Sequence, residues 1–258
     1  MQNLWHILLY QPLVNGLIFF YNLFGHNLGL AIIALTGAIR LILNPLTSSS
    51  MKMAKKMQEL APELESLKAK HGTDKQAMSQ AQLGLYKQHG VNPASGCLPQ
   101  IVQLVIFIAL FNAFSNTLKA NGNVAEKLNQ LLYPPLRFSK DAVLNTRFLY
   151  LDLSRPDVVK IPNLPFPLPG LLVIAAAVTQ FISSKKMLPQ AKKSQSTALA
   201  TPGTSDDMAA VMQTQMLYMF PIMTLVIGIS FPSGLALYWF VFSLLSLTQQ
   251  FSKKTPAA

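Results

Sequence analysis

An all-α membrane protein of five transmembrane helices is the fold class this sequence predicts. An N-terminal amphipathic helix in the interface and a cytoplasmic helical hairpin complete it. Three observations predict this. Of 258 residues, 51% are hydrophobic and only 12% charged, about half the charged share of a soluble domain. Mean hydropathy is +0.34. Five apolar stretches, residues 28–46, 98–114, 168–181, 216–231 and 234–251, approach the length needed to cross a hydrocarbon core.

Residues 1–27 read as the interfacial helix. Gln11, Asn15, Asn22 and His26 fall within about 60° of one another at helical spacing, a polar stripe on a greasy helix. The stretch has no Lys or Arg, so it lacks the charged start of a signal peptide.

The first span, 28–46, carries Arg40 and no acid to pair with it. An arginine at bilayer depth costs about 2.5–3.5 kcal/mol on insertion-derived scales. That cost points to a wet cavity lined by Arg40; snorkelling to the headgroups is the plainer alternative.

After it, residues 47–92 predict a helical hairpin. Met53, Met57, Leu60, Leu64 and Leu67 step by four and three, a heptad-like seam. Pro62 predicts a break near Ala61. The first arm ends at His71 and Gly72; Thr73 with Gln76 forms a capping box for a second arm that runs to about His89 and stops at Gly90. The arms' outer faces read as solvated. Met53, Met57, Leu60 and Leu64 are the candidate contacts for apolar segments of another chain, since methionine adapts to diverse surfaces.

Beyond the second span lies an outer loop, 115–167, and beyond the third a cytoplasmic loop, 182–215, polar and rich in Lys and Ser. Met208, Met212, Met216, Met219 and Met223 line one face leading into the fourth span, a pattern core packing explains as readily as binding. Pro221 interrupts that span, and residues 231–234 turn the chain tightly into the last one. A short tail, 252–258, holds Lys253 and Lys254. The side holding 47–92, 182–215 and the tail carries 13 Lys and Arg against 7 on the other. The N-terminus is therefore outside and the C-terminus cytoplasmic.

The spans contain no Asp, Glu or His. No proton relay, no metal cluster and no nucleophile with an evident base is present, and Cys97 is the one cysteine. Covalent catalysis and a cofactor are not expected, and the scattered basic residues do not make a nucleic-acid patch. A small membrane transporter or channel, or a purely structural assembly factor, remain as other classes. A channel predicts solute flux; an assembly factor predicts that Arg40 is dispensable.

The stretches IRLILNPL around Arg40, LYKQHGVNPASGCLPQIVQ at 85–103, FLYLDLSRPD at 148–157 and FPSGLALYW at 231–239 resemble the YidC/Oxa-type membrane protein insertases, in their compact form without a large outer domain. The resemblance spans nearly the whole chain. It implies a hydrophilic groove open to the cytoplasm, lined by Arg40, Gln103, Gln180 and Trp239. It also implies a hairpin that receives the incoming chain. Its partners would be nascent membrane proteins with short acidic outer segments, the lipid bilayer and the Sec translocon. Ribosome contact would be weak or transient through so short a tail, and the location a bacterial plasma (inner) membrane.

Overall fold

The computed structural model describes residues 2–71, 74–92, 98–117, 124–139, 142–187 and 205–252. Thr73, Cys97, the linker at 188–204 and Lys253 and Lys254 lie outside them. The described chain is mostly helical and divides into two compact units, Met1–Ile42 with Gln103–Ser183 and Phe220–Ala258, and Leu43–Val102 with Ser184–Met219.

In the first unit, α1 (Gln2–Trp5) passes through a π turn at His6–Tyr10 into α2 (Gln11–Leu23). Gly25 takes φ +63°, which a β-carbon would disfavour, and His26 N donates to Tyr21 O at 2.9 Å to close the helix end. Asn27 Oδ1 then accepts from Leu30 N at 3.1 Å and starts α3 (Leu28–Glu59).

The polar stripe of the N-terminal helix divides: Asn22 and His26 are exposed, whereas Gln11 and Asn15 turn toward the protein. Asn15 is 3% exposed. It donates to Gln11 O and Leu131 O at 2.8 and 2.9 Å and accepts from Tyr133 N at 2.7 Å. Gln11 also donates to Leu131 O. Leu4, Ile7, Leu8, Phe19 and Leu23 are exposed instead. The amide serves the backbone of a distant segment, and periodicity cannot tell such a side chain from one facing water.

Four elements follow. α6 (Leu98–Asn112) ends in a π turn at Ala113–Thr117, and α7 (Val124–Asn129) leads to a 3₁₀ turn at Pro134–Leu136. Tyr10, Val14 and Ile18 pack against Ala109, Ala113, Leu128 and Leu132 as one core.

Ahead of the third apolar helix, two short antiparallel pairs qualify the all-α expectation. β1 (Arg147–Phe148) pairs with β2 (Leu151–Asp152), and β3 (Val158–Val159) with β4 (Leu168–Pro169). The third span therefore does not begin at residue 168. Pro169 sits in the strand, and α8 runs Leu171–Met187. Its start is capped by Asp157, 8% exposed, whose Oδ2 accepts from Leu172 N at 2.9 Å while its O accepts from Gly170 N. A β-carbon on Gly170 would collide with the Asp157 carboxylate.

The last two helices are α9 (Ser205–Gly228) and α10 (Ser233–Ser252). Pro221 lies inside α9 without ending it. The loop before α8 also closes the start of α10, because Ser233 N donates to Arg155 O at 2.7 Å and Gly234 N to Leu153 O at 3.1 Å. Gly228 and Gly234 face Val173 and Phe114 so closely that a side chain would not fit.

α3 is one helix through Pro45, so the boundary expected at residue 47 is no break; the proline only deprives one carbonyl of its donor. It holds Leu28–Met57, the one stretch among the described residues long and apolar enough to cross a bilayer. Ile101–Ser115, Leu217–Gly228 and Ser233–Gln249 are apolar but shorter.

The second unit contains the hairpin. α3 stops at Glu59 and α4 (Ala61–His71) follows after Leu60, with Pro62 in its first turn. The second arm is α5 (Lys75–Gln88). Its cap is Asp74, not the expected Thr73: Asp74 Oδ1 accepts from Gln76 N and Ala77 N, both at 3.0 Å. At the far end Gly90 has φ +61°, Gly90 N donates to Lys87 O and Val91 N to Tyr86 O. Leu60, Tyr86 and Val91 form the hairpin's core, with Met57 and Leu64 against it.

Candidate functional site

Arg40 is 8% exposed. Its guanidinium carbon lies 4.6 Å from the Phe242 ring centroid, a cation–π contact. Tyr238 stacks obliquely on the same ring at 6.1 Å and stands within electrostatic range of Arg40. Residues 238 and 242 share a face of α10 because they are one turn apart. Gln103, 7% exposed, donates from Nε2 to the Tyr238 hydroxyl at 2.8 Å. Arg40 Nε and Gln103 Oε1 are fully buried with no hydrogen-bond partner among the described residues. The Arg40 guanidinium is thus nearly buried and lies against the Phe242 ring.

Gln180 and Trp239 fall elsewhere. Gln180 Oε1 accepts from Thr224 Oγ1 at 2.7 Å. The Trp239 ring stacks on Phe107 at 4.7 Å and 16°, and Phe107 and Phe111 continue the stack to Phe231. Trp239, Thr224, Gly228 and Pro232 line a cavity of about 10 Å³, room for about one water. Gln180 and Trp239 thus meet around Thr224, while Arg40 and Gln103 meet around Tyr238. Among the described residues no hydrogen bond links the two groups. Sequence reasoning missed Tyr238, Phe242, Thr224 and Phe107. The first two carried a usable signal, being polar-tipped and aromatic residues one turn apart beside Trp239.

In the hairpin, Leu60 is buried, and Met53, Met57 and Leu64 are half-buried. Met57, Leu60 and Leu64 thus hold the hairpin together, and on α5 Leu83 is 52% exposed. Of the second methionine run, Met219 is exposed and Met223 half-buried; the side chains of Met208, Met212 and Met216 lie outside the described set.

Residues 19–257 match the model of the family described as 60Kd inner membrane protein. The chain belongs to this family, the YidC/Oxa group. Among YidC-type relatives, it is 32% identical over 258 residues to "Membrane protein insertase YidC 2" of Bacillus anthracis, covering 98% of this chain and 82% of that one. It is 35% identical over 225 residues to "Membrane protein insertase YidC" of Fusobacterium nucleatum, covering 87% and 85%. Against the protein of that name from Syntrophobacter fumaroxidans, identity is 33% over 250 residues; the chain spans 38% of that relative's length. A solved structure described as "Active YidC insertase crystal structure with the first transmembrane domain resolved" superposes with a TM-score of 0.53 and 26% identity. The match covers 96% of this chain and 47% of that one.

Proposed function

We propose that this chain is a membrane protein insertase and chaperone. It receives hydrophobic segments from the cytoplasm and releases them into the bilayer through a hydrophilic groove that carries Arg40. The observation that carries the reading is a buried cationic side chain with a partnerless Nε in the one described helix long and apolar enough to cross a bilayer, together with an equally partnerless Gln103 Oε1. Each orphaned polar atom costs about 1–3 kcal/mol. The closed arrangement is therefore a resting state, and opening it to a polar segment relieves that cost. Burial of the apolar segment in lipid supplies the remaining drive. The chemistry is non-covalent, and no cofactor takes part.

In this reading α3, α6, α8, α9 and α10 span the inner membrane, with the N-terminus outside and the C-terminus cytoplasmic. The exposed leucines, Ile7 and Phe19 of residues 4–23 rest in the outer interface, while Gln11 and Asn15 pin that helix to the protein. The hairpin meets the incoming chain, with the Met53–Leu64 seam giving it shape. Gln103, Gln180 and Trp239 line the route, and the substrates are nascent membrane proteins with short acidic outer segments. The Sec translocon is a compatible partner.

Photocrosslinking tests this directly. A photoreactive residue at 103, 180 or 239 should label a stalled nascent membrane protein, and the same probe at exposed position 143 should not. Labelling of lipid alone from all three positions would overturn the reading.

A further inference from the structure

A surface cavity of about 390 Å³ shares no residue with the Arg40 and Thr224 groups. Tyr21, Asn22 and His26, at the end of α2, line one wall, and Arg137, Ser139 and Val143 the other. Its volume is that of a small-molecule site. Both walls are fixed by hydrogen bonds. Asn129 Oδ1 accepts from Phe138 N and Asn129 Nδ2 donates to Phe138 O, both at 2.8 Å, which holds the chain between Arg137 and Ser139. The buried Tyr21 accepts from Asn145 N through its hydroxyl at 2.8 Å, and its ring meets Phe138 and His26 edge-on. His26 has φ +62°, directly after Gly25 at +63°. That conformation strains a residue with a side chain, and such strain gathers at ligand sites.

The lining is cationic. Arg137 is exposed, its Nε donates to Leu132 O at a long 3.4 Å, and among the described residues it pairs with no carboxylate. Asn22, Ser139 and His26 add amide, hydroxyl and ring N–H groups, and no described lining residue is acidic. Lys140 and Asp141 lie outside the described residues. At the end of α2, Phe20 O and Tyr21 O are already taken by Phe24 N and His26 N. Donors gathered around a guanidinium call for an anion with several acceptor oxygens. The surroundings narrow the choice. Leu23 and Phe24, between Asn22 and His26 in the chain, are exposed, as is Val143, so the fitting anion is one that carries apolar chains.

We propose that this cavity binds the phosphodiester headgroup of an anionic phospholipid. Arg137 and His26 hold the phosphate, Asn22 and Ser139 bond headgroup hydroxyls, and the acyl chains lie along Leu23, Phe24 and Val143. A choline headgroup is disfavoured, because its cation meets Arg137 and no carboxylate. The site goes beyond the insertase reading and does not depend on it.

Native mass spectrometry of the purified full chain in detergent tests this with three probes. They are phosphatidylglycerol, phosphatidylcholine of the same acyl chains, and soluble glycerol 3-phosphate. Wild type should hold phosphatidylglycerol about tenfold more tightly than phosphatidylcholine and glycerol phosphate more weakly still. Arg137→Gln should weaken phosphatidylglycerol binding about tenfold, and His26→Gly, which keeps the left-handed turn, about threefold. Lys160→Gln, at an exposed lysine outside the cavity, should bind as wild type. Equal retention of the two lipids by wild type overturns the proposal. So does unchanged binding in either cavity variant, or a loss in Lys160→Gln equal to that in Arg137→Gln. Glycerol phosphate held as tightly as phosphatidylglycerol would make this a site for free phosphate and overturn the lipid assignment.

Discussion

Asn15 satisfies three backbone groups with one amide, and two of them belong to a segment more than a hundred residues away. Asn15→Ala leaves Tyr133 N in a buried site without a partner and takes from Leu131 O one of its two side-chain donors, Gln11 remaining. It should cost about 1–3 kcal/mol, seen as a lower midpoint in thermal unfolding of the purified protein in detergent; an unchanged midpoint contradicts this role. Asp152 acts similarly in the segment before α8. Partial burial works to raise its pKa, but hydrogen bonds from Ser154 Oγ, Thr146 Oγ1 and Ser154 N, together with Arg155, hold it below the ordinary 3.8. A depressed folded value means the contribution is complete above pH 3.8 and is lost as pH falls through that lower value. Amide exchange at residues 146–155 should accelerate on acidification through this range in wild type and respond less in Asp152→Asn. At this scale Arg40 was legible because a charge stands out against an apolar run. Asn15 was not, because its partners are backbone atoms supplied by the tertiary fold.

Helix ends are where local sequence and tertiary structure divided the work. Gly90 announced the end of the hairpin's second arm, because a left-handed residue after a helical run calls for glycine. The start of that arm slipped by one position, since Thr73 and Asp74 are both good caps and only the geometry chooses. The start of α8 was misplaced more seriously. Leu168 is apolar, yet it pairs with Val159, and the cap for α8 comes from Asp157, fourteen residues before the helix begins. Asp157→Ala should destabilise the protein by about 0.5–2 kcal/mol, with Asp157→Asn milder because it still accepts from Leu172 N. Equal losses from the two, read by the same unfolding assay, would show that charge rather than capping matters. The hairpin closes on its own core of Leu60, Tyr86 and Val91. Deleting residues 62–90 should therefore abolish insertion while circular dichroism and unfolding still report a folded bundle; an unaffected insertion rate would remove the hairpin from the mechanism.

On the scale of the molecule, composition and hydropathy conveyed the helical membrane fold, and four short motifs conveyed the family, because both are written in local runs of residues. The arrangement of the site was not local. Gln103 and Tyr238 are 135 positions apart, and only packing shows that one bonds the other beside Arg40, while Gln180 and Trp239 gather around Thr224. What unites the account is a guanidinium kept among aromatic rings with part of its hydrogen-bonding capacity unused. The measurement that tests this most directly is insertion of a substrate with a short acidic outer segment by wild type, Arg40→Ala and Arg40→Lys in proteoliposomes. Arg40→Ala should insert it poorly and Arg40→Lys close to wild type, because a positive charge at that depth is what draws the segment in. Equal insertion by wild type and Arg40→Ala would contradict the account.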